Sequence, residues 1–239
     1  MIQAAIDLHI HTCLSPCAEM EMTPNNIVLM SKLKGLDIIA VCDHNHTGNL
    51  EAISSVAKAQ NIILVPGLEL ETSEEIHLIC YFPSFAAAGK MQSILNWQYQ
   101  PILNREDIFG EQWIFDSDDK PVKKIENLLV AATNLDLYTA VSAVRELGGA
   151  VVPAHVDRQS YSIISNLGMV PEDLKLKTLE LSRHTTPEVF LNKHPEYKDK
   201  KFIFSSDAHA LGMILERESF IELEELSIGC LLDKLNSFS

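Results

Sequence analysis

The chain has 239 residues, of which 46% are hydrophobic, and it contains only 10 Gly and 10 Pro. This composition is that of a folded chain with a full core and excludes a disordered one. The 33 acidic and 19 basic residues give a formal net charge of −14, which disfavours a nucleic-acid backbone or an anionic membrane as a partner. We therefore expect no nucleic acid and no membrane as partners. An anionic small substrate stays compatible, because bound divalent cations reverse a local field.

The first twelve residues, MIQAAIDLHIHT, lack the basic start of a secretory signal and reach a polar motif before an apolar segment forms. No run approaches the roughly 18 apolar residues of a membrane span. The five cysteines are an odd number, which indicates reduced thiols. We expect a cytoplasmic protein, and no pattern indicates its oligomeric state.

Strands and helices alternate through the first third of the chain. Apolar runs predict strands at residues 2–8, 36–45, 62–71 and 75–82, and helical patterns fall at residues 23–35 and 49–61. Thr23 is the expected N-cap of the first helix, with Pro24 at its first position and Gly35 just past its end. The first two strands run directly into polar residues.

Residues 84–134 interrupt this rhythm and are predicted to form a small inserted segment. A helix is expected around residues 86–104 and a hairpin at residues 111–125. The hairpin turn carries Asp116, Asp118 and Asp119, which resemble a site for a divalent cation. Exposed turns are commonly acidic, so a solvated turn is the favoured interpretation.

The alternation then resumes to the end of the chain. We expect a helix at residues 138–149, strands at 150–155, 176–181 and 201–209, and a closing helix at 227–236. Such alternation implies a mostly parallel α/β sheet in one domain, residues 1–239. A barrel is favoured over an open sheet because polar residues recur at the carboxyl ends of the strands, where barrel active sites are built.

The residues at these strand ends are the ligand types of transition metals. They are His9, His11, Asp43, His44, Glu69, His77, His155, Asp207 and His209. Side chains two residues apart on a strand point the same way, so His9 and His11 can reach one cation. Imidazole and carboxylate together favour Zn²⁺, Mn²⁺ or Fe²⁺ over Ca²⁺ or Mg²⁺.

Any one of these histidines alone is more often an ordinary polar residue than a ligand, but their recurrence at successive strand ends predicts a metal site. His46 is assigned to a loop, and His184 and His194 are expected to be exposed to solvent. Cys42, Cys80 and Cys230 lie in apolar patterns and are predicted to be small core residues.

The segments DLHIHT, VCDHN, GLELE, PAHVDR and SSDAH, in this order, resemble the motif set of the polymerase and histidinol phosphatase (PHP) family. The resemblance extends from residue 6 to about residue 212. It implies a distorted seven-stranded (βα) barrel, two or three divalent metal ions (Zn, Mn or Fe) at its carboxyl face, and hydrolysis of a phosphoester.

The resemblance also implies a division of the ligands among three metal ions. One ion would be held by His9, His11, Glu69 and Asp207, a second by Glu69, His77 and His155, and a third by His44 and His209. Many relatives supply one more histidine to the third site from the loop after the first strand. Cys17 stands at or close to that position, so either its thiolate replaces the imidazole or the third site is weak or empty. Cys13 is a less favoured ligand, and a Cys13–Cys17 disulfide is disfavoured in a reducing compartment.

The remaining expected roles concern catalysis and the substrate. Asp207, His209 and His155 are the predicted catalytic residues, with His209 or His155 as the proton donor to the leaving group. Asp43 is expected to orient a metal-binding imidazole, and Arg158 and Arg183 are expected to bind the substrate phosphate.

The favoured function is hydrolysis of a phosphomonoester in a small metabolite such as a nucleotide or sugar phosphate. Two alternatives stay open, a C–N hydrolase of the amidohydrolase type and a non-catalytic, metal-bound module. The amidohydrolase alternative is ranked lower because amidohydrolases commonly bridge their metals with lysine, whereas Glu69 holds that position here.

Overall fold

The structure is a computed structural model and describes residues 1–237. Its strands are β1 (Ile2–Ile10), β2 (Ile38–Val41), β3 (Ile63–Glu71), β4 (His77–Tyr81), β5 (Trp113–Phe115), β6 (Pro121–Lys124), β7 (Ala150–Pro153), β8 (Thr178–Leu181), β9 (Lys201–Phe204) and β10 (Phe220–Leu223). Its α-helices are α1 (Pro24–Leu33), α2 (Leu50–Ala59), α3 (Phe85–Leu95), α4 (Glu106–Phe109), α5 (Leu137–Glu146), α6 (Ile163–Leu167), α7 (Pro187–Lys193) and α8 (Ile228–Asn236). The α/β class predicted from the alternation is confirmed.

The main sheet has the strand order β10-β1-β2-β3-β4-β7. The pairs β1–β2 and β2–β3 are parallel, whereas β1–β10, β3–β4 and β4–β7 are antiparallel. The expected mostly parallel arrangement is therefore wrong for this sheet. Residues 72–76 are the whole link between β3 and β4, and so short a link joins only antiparallel neighbours.

The main sheet curls into a half-barrel of six strands, so the predicted count of seven is wrong. Strands β8 and β9 form a separate parallel pair, and a single bridge from Ile10 to Ala208 connects the segment after β9 to β1. Strand β10, which the sequence patterns did not predict, occupies the edge beside residues 2–5 of β1. Because β10 pairs with that part of β1, β9 cannot pair there. The barrel therefore does not close along its full length.

Strands β2, β4 and β7, and most of β1 and β3, are buried on both faces because apolar layers lie on each side of the main sheet. In β2, Ile39 and Val41 share a cluster with Ile27 of α1, whereas Ile38 and Ala40 belong to a second cluster that contains Leu231 of α8. This alternation follows the two-residue period of a strand. Continuous apolar runs such as residues 38–42 result, and they bring the polar residues that follow to a common edge.

The inserted segment partly matches its prediction. The helix α3 ends at Leu95 rather than near residue 104, and the predicted hairpin is confirmed as β5 and β6. The hairpin lies against the loop after β1, because Trp113 N donates to Cys13 O at 3.2 Å. Cys13 is accordingly buried.

The acidic turn of the hairpin has two different roles. Asp116 accepts hydrogen bonds from the backbone N–H groups of Asp118 and Lys120 at 2.9 Å each, as expected for a solvated turn. Asp119 instead accepts from Thr23 Oγ1 at 2.7 Å and from Asn25 N at 3.0 Å. Thr23 is the N-cap residue of α1, as predicted, but the cap itself is made by a carboxylate from the hairpin.

Among residues 1–237, no helix has the length and apolar character that a bilayer crossing requires.

Candidate metal centre

Four side chains from three parts of the chain converge at the carboxyl end of β1. His9 Nε2 and His11 Nε2 lie 3.1 Å apart. Glu69 Oε2 is 3.5 Å from His9 Nε2 and 3.3 Å from His11 Nε2. Asp207 Oδ1 is 3.4 Å and 3.2 Å from the same two nitrogens. All four residues are buried.

The hydrogen bonds of the outer ring nitrogens fix which nitrogens carry protons. His9 Nδ1 lies 3.0 Å from Glu180 Oε1, and a carboxylate only accepts, so Nδ1 of His9 is the donor. His11 Nδ1 lies 2.9 Å from Ser15 Oγ, whose own proton goes to Asp43 Oδ1 at 2.8 Å. Nδ1 of His11 therefore donates to Ser15. In the neutral rings both Nε2 atoms keep lone pairs, and these face each other.

This donor set fits a divalent cation. A tetrahedral ion with ligands at about 2.0–2.1 Å has ligand–ligand edges of roughly 3.3–3.4 Å. The five distances given above, 3.1–3.5 Å, lie around that value. Two neutral imidazoles and two carboxylates carry a charge of −2, which one divalent ion neutralises.

The pKa shifts of His9 and His11 also indicate that the buried carboxylates require a compensating positive charge. Burial by itself lowers the pKa of His9, but Glu180 and Glu69 raise it well above the usual value. Burial also lowers the pKa of His11, and Asp207 and Glu69 raise it overall. Without a metal ion, protons on these rings compensate the buried carboxylates. A bound cation would supply the same compensation and release the protons.

A second group of ligand atoms lies on the other side of Glu69. Glu69 Oε1 is 2.8 Å from His77 Nδ1 and 3.2 Å from His155 Nε2, and Glu69 Oε2 is 3.0 Å from His44 Nδ1. His44, Glu69 and His77 offer ligand atoms within 4.8 Å of one another. His44 Nδ1, His77 Nδ1 and Glu69 Oε2 are buried and, despite these short distances, none of them makes a hydrogen bond of acceptable angle to a described residue. Such orphaned polar atoms are costly unless a further group binds them.

A third group consists of His11, His44 and His209, again with ligand atoms within 4.8 Å. His209 Nδ1 lies 2.8 Å from the backbone oxygen of Asp207, so Nδ1 is the donor and Nε2 keeps its lone pair. Burial, reinforced by His11, lowers the pKa of His209 to about 4, and the ring is neutral at pH 7. Cys17 is exposed and belongs to none of the three groups.

The structure thus brings together all eight predicted His, Glu and Asp ligands, but it groups some of them differently from the resemblance. His44 joins the second group beside Glu69 and His77, and His155 approaches Glu69 from outside that group. Both His155 and Asp207 have positive φ values, 30° and 50°. Non-glycine residues adopt this conformation infrequently, and Asp and His are among the residue types that do so more readily.

Asp43 supports the cluster through the loop after β1. Its carboxylate accepts from Thr12 N at 2.7 Å, from Thr12 Oγ1 at 2.8 Å and from Ser15 Oγ at 2.8 Å. Since Ser15 in turn accepts from His11, Asp43 positions that imidazole through one hydroxyl group. The structure therefore places Asp43 behind His11 rather than behind its neighbour His44.

The two predicted phosphate ligands differ in position. Arg158 Nη2 lies 2.7 Å from Asp207 Oδ2, the carboxylate oxygen that does not face the imidazoles, and the Arg158 side chain is 41% exposed. Arg183 lies in the loop after β8 and is exposed, with no ion pair to any residue in the described range. The geometry therefore brings Arg158, but not Arg183, to the edge of the cluster.

Sequence reasoning missed three residues around the cluster. Glu180 is fully buried in β8 behind His9, and Ser15 lies behind His11. Tyr161 stacks on His77 with ring centroids 4.8 Å apart, and its φ is 56°. Glu180 had a detectable signal, because a single carboxylate in an apolar strand is rarely buried without a partner. Ser15 and Tyr161 had none.

The comparisons with known proteins point to a fold rather than to an activity. No protein-family model matches the chain. An uncharacterized protein of Methanocaldococcus jannaschii is 28% identical over 152 residues, which cover 64% of this chain and 16% of that protein. The chain thus spans only a small part of its curated relative.

Solved structures with several activities are similar to this one. The lesion-specific endonuclease EndoQ of Pyrococcus furiosus has a TM-score of 0.66 at 17% identity, covering 98% of this chain and 56% of that one. A two-domain protein of Bacteroides vulgatus with a predicted PHP-like metal-dependent phosphoesterase has 0.58 at 17%, covering 98% and 63%. An amidohydrolase of Chromobacterium violaceum has 0.60 at 19%, covering 94% and 93%. The resemblance to PHP-like proteins is confirmed at the level of the fold.

The expectation that excluded nucleic acid as a partner is wrong. Endonuclease Q is also known in complex with a 27-mer duplex that has an abasic lesion at the active site, and that structure covers 98% of this chain with a TM-score of 0.63. A net charge of −14 is an average over the whole chain. It does not describe the field at a site where bound cations meet a phosphate.

Proposed function

We propose that this protein is a metal-dependent phosphoesterase. The observation that carries the proposal is the convergence of His9, His11, Glu69 and Asp207, whose two Nε2 lone pairs face each other at 3.1 Å. A divalent cation would contact all four groups at once and would replace the protons that otherwise compensate the two carboxylates. Zn²⁺, Mn²⁺ and Fe²⁺ suit this mixture of imidazole and carboxylate.

The first group would hold one ion, and His44, Glu69 and His77 would hold a second, with Glu69 shared between them. When bound, such ions stabilise charge on a phosphoryl oxygen and make water a stronger nucleophile. The protein's own residues orient the metal-binding imidazoles and exclude bulk water. Glu180 and Ser15 keep the lone pairs of His9 and His11 aimed inward, and apolar strands exclude bulk water from beneath the cluster.

Arg158 is the group of the chain best placed to bind the substrate phosphate. One guanidinium nitrogen is held by Asp207 at 2.7 Å, and the side chain remains 41% exposed. Its other N–H groups can donate to two oxygens of a phosphate at once. His155, with Nε2 3.2 Å from Glu69 Oε1, is the candidate proton donor to the leaving group, since it lies outside the three ligand groups whereas His209 belongs to the third.

The substrate class that we favour is a phosphomonoester of a small metabolite, such as a nucleotide or sugar phosphate. A phosphodiester in DNA is the second candidate, and the likeness to endonuclease Q over 98% of this chain favours it. This chain spans 56% of that enzyme, so the activity of the whole enzyme is only a guide. A C–N hydrolase and a non-catalytic module are the alternatives that the experiment must exclude.

The test is phosphate release by protein reconstituted with Zn²⁺ or Mn²⁺. Substrates would be a panel of phosphomonoesters, an oligonucleotide duplex with and without an abasic site, and simple amides. We expect turnover of a phosphoester that falls about 100- to 1,000-fold in Glu69→Gln, the scale for loss of one group that stabilises charge in the transition state, with Glu188→Gln on the exposed side of α7 as the matched control. Metal-loaded protein that hydrolyses amides but no phosphoester would refute the proposal, as would phosphate release that Glu69→Gln leaves unchanged.

A further inference from the structure

The buried side chain of Asn49 joins the hairpin of β5 and β6 to the loop after β1. Asn49 is the N-cap residue of α2, a position where asparagine normally accepts a hydrogen bond from the helix backbone, but its side chain makes no such bond. Instead, Asn49 Oδ1 accepts from Phe115 N at 2.8 Å, and Asn49 Nδ2 donates to Trp113 O at 3.1 Å. Both hairpin partners are backbone groups, so they determine which end of the amide is the oxygen.

The orientation of this amide sets the direction of the hydrogen bonds at Thr12. Asn49 Nδ2 also donates to Thr12 Oγ1 at 2.7 Å, and Leu14 N donates to the same oxygen at 3.0 Å. A hydroxyl group accepts two hydrogen bonds and donates one, so the Thr12 proton goes to Asp43 Oδ2, 2.8 Å away. Asn49, Thr12 and Asp43 are all buried, and bulk water does not compete for these bonds.

The same carboxylate accepts a second series of hydrogen bonds, which begins at a metal ligand. Asp43 Oδ1 accepts from Ser15 Oγ at 2.8 Å. Ser15 Oγ in turn accepts from His11 Nδ1 at 2.9 Å and from His44 N at 3.2 Å. Asp43 is therefore the common acceptor of two branches, one from the hairpin through Asn49 and one from the imidazole of His11.

We propose that Asn49 is a positioning residue for the ion of the first ligand group, and that this ion and the docked hairpin stabilise each other. The physical reason is that Thr12 and Ser15 hold the two oxygens of one carboxylate, Asp43. Once either branch has ordered this carboxylate, the other branch forms at a smaller loss of conformational entropy. Such a coupling is reciprocal, so metal binding should stabilise the hairpin as much as the hairpin favours metal binding.

The proposal rests on the metal binding of the proposed function and adds a role for the inserted hairpin. Hydrogen exchange of the full chain, followed by mass spectrometry with and without Zn²⁺, measures the opening of the hairpin. We expect Zn²⁺ to slow exchange at residues 111–125 at least about 5-fold more than exchange in α8, since couplings between sites begin near this size. Helix α8 has no part in the two branches and reports any general stabilisation.

Variants of Thr12 distinguish the hydrogen bond from packing. Valine has nearly the shape of threonine but no hydroxyl group, whereas serine keeps the hydroxyl group and loses a methyl group. Thr12→Val should abolish the additional slowing in the hairpin and weaken Zn²⁺ binding about 5-fold in a chelator competition, and Thr12→Ser should retain both. A role in packing alone predicts the reverse order, because serine is the variant that leaves a void.

Asn49→Ala provides the reciprocal measurement from the hairpin side. It removes both contacts to the hairpin backbone and should also weaken Zn²⁺ binding about 5-fold, although Asn49 touches no metal ligand.

Equal slowing in the hairpin and in α8 of the wild-type protein would overturn the proposal without any variant. Zn²⁺ binding that is as tight in Thr12→Val as in Thr12→Ser, or that Asn49→Ala leaves unchanged, would overturn it as well. Coupled exchange in a protein without turnover would count against the proposed function alone. Turnover without coupled exchange would count against this coupling alone.

Discussion

Replacement of Glu180 by alanine tests whether the hydrogen bond behind His9 matters for metal binding. Glu180 is 1% exposed, and its two oxygens lie 3.0 Å and 3.2 Å from His9 Nδ1. The substitution leaves a buried N–H without an acceptor and frees the ring to rotate or to change its tautomer. Carboxylates that support a metal-binding histidine in this way typically contribute 10- to 100-fold to metal affinity. That range corresponds to about 1.4–2.8 kcal/mol.

The assay is a competition titration of Zn²⁺ between the protein and a chromophoric chelator at pH 7.5. Glu180→Ala should bind the tightest ion about 10- to 100-fold more weakly than the wild type. Glu180→Gln keeps an acceptor for Nδ1 and should lose less. Glu188→Gln, on the exposed side of α7, is the control for loss of one negative charge. An affinity of Glu180→Ala within twofold of the wild type, in a protein with an unchanged circular dichroism spectrum, would refute the argument.

Three further predictions concern the N-cap of α1, the pH dependence of metal binding and the Cys17 thiol. Asp119→Ala removes the acceptor for Thr23 Oγ1 and Asn25 N and should lower the free energy of unfolding by about 1 kcal/mol, measured by urea denaturation; no change would mean that solvent replaces the cap. Burial lowers the pKa of His77, but Glu69 raises it overall to about 9, so binding at pH 7 must release a proton. Metal affinity should therefore increase from pH 6 to pH 8, and a flat profile in the chelator titration would contradict this sign. Cys17→Ser should leave the number of metal ions per chain unchanged by elemental analysis, because the thiol lies outside the three ligand groups; loss of one ion would restore Cys17 as a ligand.

The sequence predicted most of the ligands because they lie at or just after the end of an apolar run, and a run of this kind forms a strand whichever way its neighbours are paired; His77 is different, since it begins β4. His9, His11 and Glu69 therefore lie where the patterns placed them. The expected parallel direction of β4 was wrong, although the predicted strands at 62–71 and 75–82 already leave a link too short for a parallel crossover. The place of β10 depends on long-range contacts that apolar patterns do not encode.

The grouping of the ligands was also beyond the reach of the sequence. His44 approaches both Glu69 and His209, and this depends on side-chain directions within a few ångströms, which the order of motifs does not specify. For Glu180, the sequence could predict burial but not the hydrogen-bond partner. Its burial was signalled by the apolar residues around it, but its partner, His9, is 171 positions away.

The sequence separation of the ligands has a consequence for synthesis of the chain. His9, His11 and Glu69 leave the ribosome long before Asp207, and the bridge between Ile10 and Ala208 that brings Asp207 to β1 forms later still. A nascent chain therefore offers at most three of the four ligands of the first group, without the contact that holds them in place. Closing so long a loop is entropically costly and slow. An ion that requires all four ligands can therefore bind only after residue 208 has been translated.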